Sequence, residues 1–278
     1  MERKCYAKVN LTLDSLSKRD DGYHEIDSIM VRINLFDKLI IKKNKEKKFN
    51  YETNLTDICS LEDNLIYKAW TLLKDMVDEN GVDVTLIKNI PIAAGLAGGS
   101  TDAAEMIKGL DKLWDLNLSL DEKMSLGKRL GADIPFFFLE SNARAQGIGE
   151  ILTPFTNKLK MKLLLINDGT EISSAFVYKR LADYGVIDTT GIIEKLRKGE
   201  KSAISGFRNV MEDVIFENFP HIREICSRLE EVGADKALVS GSGASVFGVF
   251  TDDSSLDFAY EKLSGNYKFV ERVELVDD

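Results

Sequence analysis

Pro91-Ile92-Ala93-Ala94-Gly95-Leu96-Ala97-Gly98-Gly99-Ser100-Thr101-Asp102-Ala103-Ala104 is the stretch on which the reading of this chain turns. It follows a predicted strand in which Val82, Val84 and Leu86 alternate with Asp83, Thr85 and Lys88. It opens a predicted helix whose apolar face is Ala103, Ile107, Leu110 and Trp114. Gly95, Gly98 and Gly99 carry no Cβ, so their backbone can approach a ligand closely and adopt positive φ. The N–H groups of the helix's first turn have no partner within the helix and attract anions. Ser100 and Thr101 add hydroxyl donors, and Asp102 stands where a helix start favours a carboxylate. The same glycines suit a plain strand-to-helix turn, but three of them with Ser-Thr are more than a turn needs.

Other phosphate and nucleophile motifs are excluded. There is no GxxxxGK[ST], no GxGxxG with an acidic residue about 20 positions on, and no GxSxG elbow. The HRD and DFG elements of protein kinases are missing.

Composition narrows the classes further. The chain has 278 residues, 44% hydrophobic and 30% charged, which is the profile of a folded protein of one large or two ordinary domains. Its net charge of -9 argues against a general nucleic-acid or anionic-membrane surface. No apolar run reaches the roughly 18 residues that span a bilayer. The N-terminus MERKCYAKVNLTL has no long apolar core or cleavage site, so the cytoplasm is the expected compartment. Cys5, Cys59 and Cys226 form no CxxC pair and the histidines are His24 and His221, which argues against a zinc site or a disulfide framework.

Along the chain, Tyr6–Leu13 and Ile26–Leu35 read as strands. Leu39–Lys43 and Phe49–Glu52 flank KKNKEKK and read as an exposed hairpin. Asp63 is the expected N-cap of a helix running to about Asp78, with Ile66, Ala69, Trp70 and Leu73 on one face. A helix over Glu122–Leu130 ends at Gly131. The pattern changes near Pro154. Met161–Ile166 reads as a strand, followed by helices at about Ser174–Ala182, Thr190–Lys198 and Met211–Glu231. Ala237–Val239 and Ser245–Phe250 are strands around a second small-residue loop, and Leu256–Leu263 and Phe269–Val276 close the chain as helix and strand. This order gives two α+β halves, not a Rossmann array.

The glycine-rich stretch resembles the second motif of the GHMP kinases (galactokinase, homoserine kinase, mevalonate kinase and their relatives). Tyr6-Ala7-Lys8-Val9-Asn10-Leu11 resembles the first, and Leu238-Val239-Ser240-Gly241-Ser242-Gly243-Ala244-Ser245 the third. The three lie in order across nearly the whole chain. The resemblance implies an ATP-dependent small-molecule kinase whose N-terminal domain is like ribosomal protein S5 domain 2 and whose C-terminal domain is ferredoxin-like. The expected division is residues 1–154 and 155–278, with the active site between them. It implies that the loop of Pro91, Ala94, Gly95, Leu96, Ala97, Gly98, Gly99, Ser100 and Thr101 wraps the phosphates of ATP. Magnesium is expected with ATP; its ligands are not assigned, and Ser100 is the single candidate.

Shorter pieces bear on the substrate. Asp21-Gly22-Tyr23-His24, Glu62-Asp63-Asn64-Leu65-Ile66, Gly131-Ala132-Asp133-Ile134-Pro135 and Gly147-Ile148-Gly149-Glu150-Ile151-Leu152 resemble the family members that phosphorylate a cytidyl-diphosphate polyol. Asp133, ahead of an apolar run, is the candidate catalytic carboxylate; on the residues alone it equally suits a cap, and the resemblance tips the balance. Lys8 in an otherwise apolar strand needs a reason, and the resemblance pairs it with Asp133 to polarise the acceptor hydroxyl. Asn10, two residues on, shares its strand face and would bind the substrate hydroxyls or position Asp133. By the resemblance, Tyr23 and His24, read in a polar loop, hold the cytosine with Tyr178 as a second stacking face. Asn64 and Leu65 are expected near the adenine. Two alternatives stay open: a homoserine- or mevalonate-type kinase, and a non-catalytic nucleotide-binding protein on the same fold. The sequence does not fix the oligomeric state.

Overall fold

The computed structural model describes residues 1–55 and 59–276. In chain order its elements are β1 (Glu2–Lys18), β2 (His24–Lys43), β3 (Phe49–Thr53), α1 (Leu65–Leu73), β4 (Val82–Ile87), α2 (Gly98–Trp114), α3 (Leu120–Leu130), β5 (Asn142–Gly147) and β6 (Ile151–Phe155). Then come β7 (Lys162–Asn167), α4 (Ser174–Tyr178), α5 (Thr189–Lys198), β8 (Arg208–Asn209), α6 (Glu212–Asn218), α7 (Pro220–Glu231), β9 (Lys236–Val239), β10 (Val246–Phe250), α8 (Asp253–Leu263) and β11 (Phe269–Glu274). The chain forms two compact units. The first takes Met1–Ala7, Leu35–Ile90 and Ala97–Glu140; the second takes Lys8–Asn34, Pro91–Leu96 and the chain from Ser141 on.

In the first unit the end of β2 pairs antiparallel with β4, from Lys38↔Ile87 to Lys43↔Val82, and β3 pairs parallel with β4. The expected hairpin between Leu39–Lys43 and Phe49–Glu52 is therefore not formed, because β4 lies between its two arms. Asp83 helps to hold β4 there: its carboxylate accepts from Asn44 Nδ2 and Asn50 Nδ2, each at 2.8 Å, one on either side. Val82, Val84 and Leu86 bury the opposite face of β4, as the alternation predicts.

Helix α1 is capped by Asn64, whose Oδ1 accepts from Ile66 N at 2.9 Å. Asp63 is not the cap, because its carboxylate is occupied by Ser60 Oγ at 2.9 Å. The helix ends at Leu73, short of Asp78; a 3-10 turn over Lys74–Met76 follows, and the Trp70 indole donates to Asn80 O at 2.8 Å. Helix α2 packs on α1, and it lies flush on β2 at Gly109, where a Cβ would sit 2.3 Å from Ile41 Cδ1. Helix α3 opens with a complete Ser119/Glu122 capping box. The three phenylalanines after Pro135 form a buried 3-10 turn, Ile134–Phe138.

The second unit contains a four-stranded antiparallel sheet in the order β11-β7-β10-β9. Helices α7 and α8 pack on it. Leu164, Ile166, Val239, Val246, Ile222, Leu229, Leu256 and Leu263 are among the side chains of the core between them. Two βαβ halves arranged this way make the ferredoxin-like plan expected for this part of the chain. In the same unit β2 pairs with β5 from Ile26↔Gly147 to Met30↔Ala143, β5 pairs with β6, and β1 pairs parallel with β8 at Thr12 and Leu13. The single helix expected over Met211–Glu231 is two helices. Phe219 breaks it at φ −134° and ψ 70°, and Pro220 opens the second, since a proline suits a first turn and not an interior. The helix expected over Ser174–Ala182 stops at Tyr178. The chain beyond is drawn to β1: Asp14 accepts from Gly185 N and Ile187 N at 3.1 and 2.7 Å, and Ser15 O from Tyr184 N at 2.7 Å.

Candidate active site

Within the second unit, Lys8 is 4% exposed in the middle of β1. An ammonium that deep must be met by acceptors. Its Nζ donates to Asn10 Oδ1 at 2.7 Å and to Gly95 O at 2.9 Å. Asn10 shares the strand face as expected, and its Nδ2 donates to Ser28 Oγ at 2.8 Å. Lys8 is thus no outward-facing strand lysine. The first half of the glycine-rich stretch, Pro91–Leu96, is tied to the same place. Leu96 O accepts from Lys8 N at 3.1 Å, and Ala94 O accepts from Ser245 N at 3.2 Å. Gly95 O also accepts from Ser240 Oγ at 2.9 Å.

Gly95 is the one glycine of the stretch at positive φ, +74°, and a Cβ on it would fall 1.9 Å from Ser240 O. The loop of the third motif requires glycine here. That loop reaches back over β1: a Cβ on Gly241 would meet Asn10 Oδ1 and Gly95 O at 3.4 Å and Lys8 Nζ at 3.5 Å. Asn209, unremarked in the sequence, secures the loop from behind, donating to Val239 O and Gly241 O at 2.9 and 2.7 Å.

His24 and Tyr178 also come together in this unit, with ring centroids 5.8 Å apart and planes at 34°. His24 was expected in a polar loop. It is the first residue of β2 and only 3% exposed, because the turn closes one residue earlier. Asp21 Oδ1 accepts from Tyr23 N at 3.1 Å and Gly22 stands at φ +86°. His24 Nδ1 lies 3.0 Å from Ser15 Oγ and 3.9 Å from Asp183 Oδ1. Tyr23 is 60% exposed at the turn.

Within the first unit, the second half of the stretch begins with Ala97 at φ +56° and enters α2 at Gly98. Gly98 and Gly99 are helical, so positive φ here falls to alanines, Ala93 and Ala97, rather than to these two glycines. Gly98 is needed for packing: a Cβ would meet Ile90 Cγ2 and Lys88 Nζ at 3.1 Å. Gly99 is different. Its Cβ would meet Leu65 Cδ1 at 3.6 Å, ordinary contact, with no other atom within 4 Å. The first turn of α2 is therefore open at Gly99, and Leu65 borders the opening. Ser100 is half-buried and Thr101 is buried.

Asp102 is buried too, and its partner is Lys88, whose Nζ donates to Asp102 Oδ2 at 2.9 Å and to Asp37 Oδ2. Asp37 Oδ1 in turn accepts from Asn89 N and Ile90 N at 2.6 and 2.8 Å. Burial, reinforced by the Asp37 charge and opposed by Lys88, pushes the Asp102 carboxyl up to about 7. Sequence reading missed Asp37 and Lys88; the charged Lys88 after an apolar-alternating strand was the available signal.

Asp133 stands at the start of the 3-10 turn Ile134–Phe138, half-buried, and its side chain makes no capping hydrogen bond there. The turn packs against α2 and α3. Among the described residues no three His, Cys, Asp or Glu side chains gather to hold a metal ion. No described helix is long and apolar enough to cross a membrane.

Comparison with known proteins extends these observations. The family model for the GHMP kinase N-terminal domain matches residues 64–141, and that for the GHMP kinase C-terminal region matches residues 192–268. A protein of Caldanaerobacter subterraneus named 4-diphosphocytidyl-2-C-methyl-D-erythritol kinase is 41% identical over 279 residues, covering 99% of this chain and 96% of its own length. One of the same name from Alkaliphilus metalliredigens is 38% identical, covering 96% of this chain and 94% of its own. A crystal structure of 4-(cytidine 5'-diphospho)-2C-methyl-D-erythritol kinase superposes with a TM-score of 0.84 at 30% identity over 99% of both chains. The mevalonate kinase of L. major superposes with a TM-score of 0.76 at 18% identity, a likeness of fold.

Proposed function

We infer the function from one premise: the chain belongs to the GHMP kinase family. It phosphorylates 4-diphosphocytidyl-2-C-methyl-D-erythritol on its 2-hydroxyl at the expense of ATP, a step of the non-mevalonate isoprenoid precursor pathway. The observation that carries this is likeness at 41% identity over nearly the whole of both chains to a kinase of that name. The proposed setting is the cytoplasm. The proposed domain division at 154/155 is supported by the two family models, which fall on either side of it.

The residue roles are proposals that the geometry supports. The amides opening α2, with the clear side of Gly99, suit the phosphates of ATP, and Ser100 adds a hydroxyl on the accessible side. Leu65 borders that opening, and with Asn64, the cap residue before it, suits the adenine end. With no protein cage among the described residues, a magnesium ion would come with the phosphates, beside Ser100. Such an ion, when bound, neutralises charge on the transferring phosphoryl group. Asp133 takes the proton of the acceptor hydroxyl as it attacks phosphorus, and Lys8, braced by Asn10 and Gly95, steadies the developing negative charge. Tyr23 and His24 hold the cytosine, with Tyr178, whose ring centroid lies 5.8 Å from that of His24, as the second stacking face.

The test is Asp133→Asn. Phosphorylation should fall by about 10²-fold or more while ATP binding persists. Turnover within a few-fold of wild type would remove Asp133 from the chemistry.

A further inference from the structure

Ser28 on β2 belongs to none of the motifs, yet it stands in the hydrogen-bond chain that holds Lys8. Lys8 Nζ donates to Asn10 Oδ1 at 2.7 Å, Asn10 Nδ2 donates to Ser28 Oγ at 2.8 Å, and Ser28 Oγ donates to Thr12 O at 2.5 Å. All four residues lie in the second unit. All four are buried, Ser28 and Thr12 completely.

The direction of the chain is forced from its two ends. An ammonium can only donate, so the Asn10 atom that faces Lys8 is the amide oxygen. The amide nitrogen then faces Ser28, whose oxygen has to accept. That leaves the Ser28 hydroxyl proton for Thr12 O, and a carbonyl can only accept. Three bonds running the same way inside the protein polarise one another. Thr12 is itself held, because its Oγ1 accepts from Ile29 N at 2.9 Å across the neighbouring strands β1 and β2. Ser28 is therefore fixed at both its proton and its lone pair. Its oxygen rewards one orientation of the Asn10 amide, the one that presents Oδ1 to Lys8. With an apolar side chain at 28, that orientation leaves Nδ2 buried without this acceptor, which is costly. Turning the amide to relieve that cost takes Oδ1 off the line to Lys8 Nζ.

We propose that Ser28 is a positioning residue for phosphoryl transfer: its hydroxyl oxygen orients the Asn10 amide, and through Asn10 it sets where the Lys8 ammonium stands. Ser28 acts through Asn10 and does not touch the substrate. The inference rests on the reading that Lys8 steadies the charge that develops during transfer.

The test is steady-state turnover of the full chain with ATP, magnesium and the cytidyl polyol, in wild type, Ser28→Ala, Asn10→Ala and the double variant. Ser28→Ala should lower kcat about tenfold, the upper end of what one hydrogen bond contributes, and leave the KM for ATP within about twofold. In the Asn10→Ala background the same change should alter kcat by less than about twofold, since the residue it acts through is gone. A loss of kcat as large in that background as in wild type overturns the proposal, and so does Ser28→Ala turning over within twofold of wild type. Should Ser28→Ala fold poorly, or Asn10→Ala turn over too slowly to measure, Ser28→Thr and Ser28→Val decide. The two add nearly the same bulk and differ in the hydroxyl. Ser28→Thr should exceed Ser28→Val in kcat by about tenfold, and equal values overturn the proposal. Lys8→Met separates the premise from the inference. Turnover of Lys8→Met within twofold of wild type overturns the reading of Lys8 and this inference with it. A fall in Lys8→Met beside an unaffected Ser28→Ala overturns this inference alone.

Discussion

Gly95→Ala puts one methyl group where the backbone of Ser240 already stands. The added Cβ would lie 1.9 Å from Ser240 O, 3.0 Å from its carbonyl carbon and 3.2 Å from Gly243 N. All three are backbone atoms, so no rotamer change relieves the overlap. The φ of +74° adds a left-handed penalty of about 1–2 kcal/mol for a residue with a Cβ. Forcing an extra carbon into packed surroundings costs about 1–3 kcal/mol more, for a total of about 2–5 kcal/mol. The shift also pulls Gly95 O from Lys8 Nζ and Ser240 Oγ, so activity should fall with stability. Gly99→Ala is the counterpart. Its Cβ meets only Leu65 Cδ1 at 3.6 Å, and alanine in a helix is favoured by up to about 1 kcal/mol, so stability should hold or rise. ATP binding should nonetheless weaken, because the methyl occupies the clear side of the turn. The assays are urea unfolding followed by circular dichroism, and calorimetric ATP titration. Gly95→Ala unfolding at the wild-type midpoint would refute the account of the loop packing. Gly99→Ala binding ATP as wild type does would refute the account of the open turn.

Two further predictions stand beside it. Lys8→Met strips the donor from Asn10 Oδ1 and Gly95 O; turnover should drop by about 10²–10³-fold, as removal of a charge-stabilising donor does, and turnover within twofold of wild type would count against it. Glu212, which accepts from Val239 N at 2.8 Å, is raised from 4.5 to about 7 by burial first of all. Its stabilising contribution is complete below the unfolded value near 4.5 and is lost as pH rises through about 7. Glu212→Gln, which keeps the acceptor, should therefore match wild type at pH 4.5 and exceed it by about 2–3 kcal/mol at pH 8.5; an equal difference at both pH values in denaturant melts would contradict this.

Much of the site was legible because it is local. The glycine-rich stretch, the strand before it and the helix after it are set by alternation, by apolar spacing and by residues without Cβ atoms, all visible in one continuous segment from Val82 to Trp114. Lys8 and Asn10 on one face of β1 follow from the two-residue period. What escaped depends on partners distant in sequence. The constraint on Gly95 comes from Ser240, and the sharing of Lys88 between Asp37 and Asp102 joins three segments that no spacing rule connects. Strand patterns reveal strands but not their neighbours, so β4 entering between β2 and β3 replaced the expected hairpin. Asn64 took the cap from Asp63 because both residues are good caps, and the hydroxyl of Ser60 decided between them. His24 looked exposed in a polar context, yet it opens a strand, and one residue of register separates it from solvent-facing Tyr23.

The most direct measurement is ADP release, in a coupled assay, with ATP, magnesium and three acceptors in parallel: 4-diphosphocytidyl-2-C-methyl-D-erythritol, mevalonate and homoserine. The account predicts one ADP for each cytidyl polyol consumed and only background release with the other two. Preferential turnover of mevalonate or homoserine, or no turnover with any of the three, would contradict it.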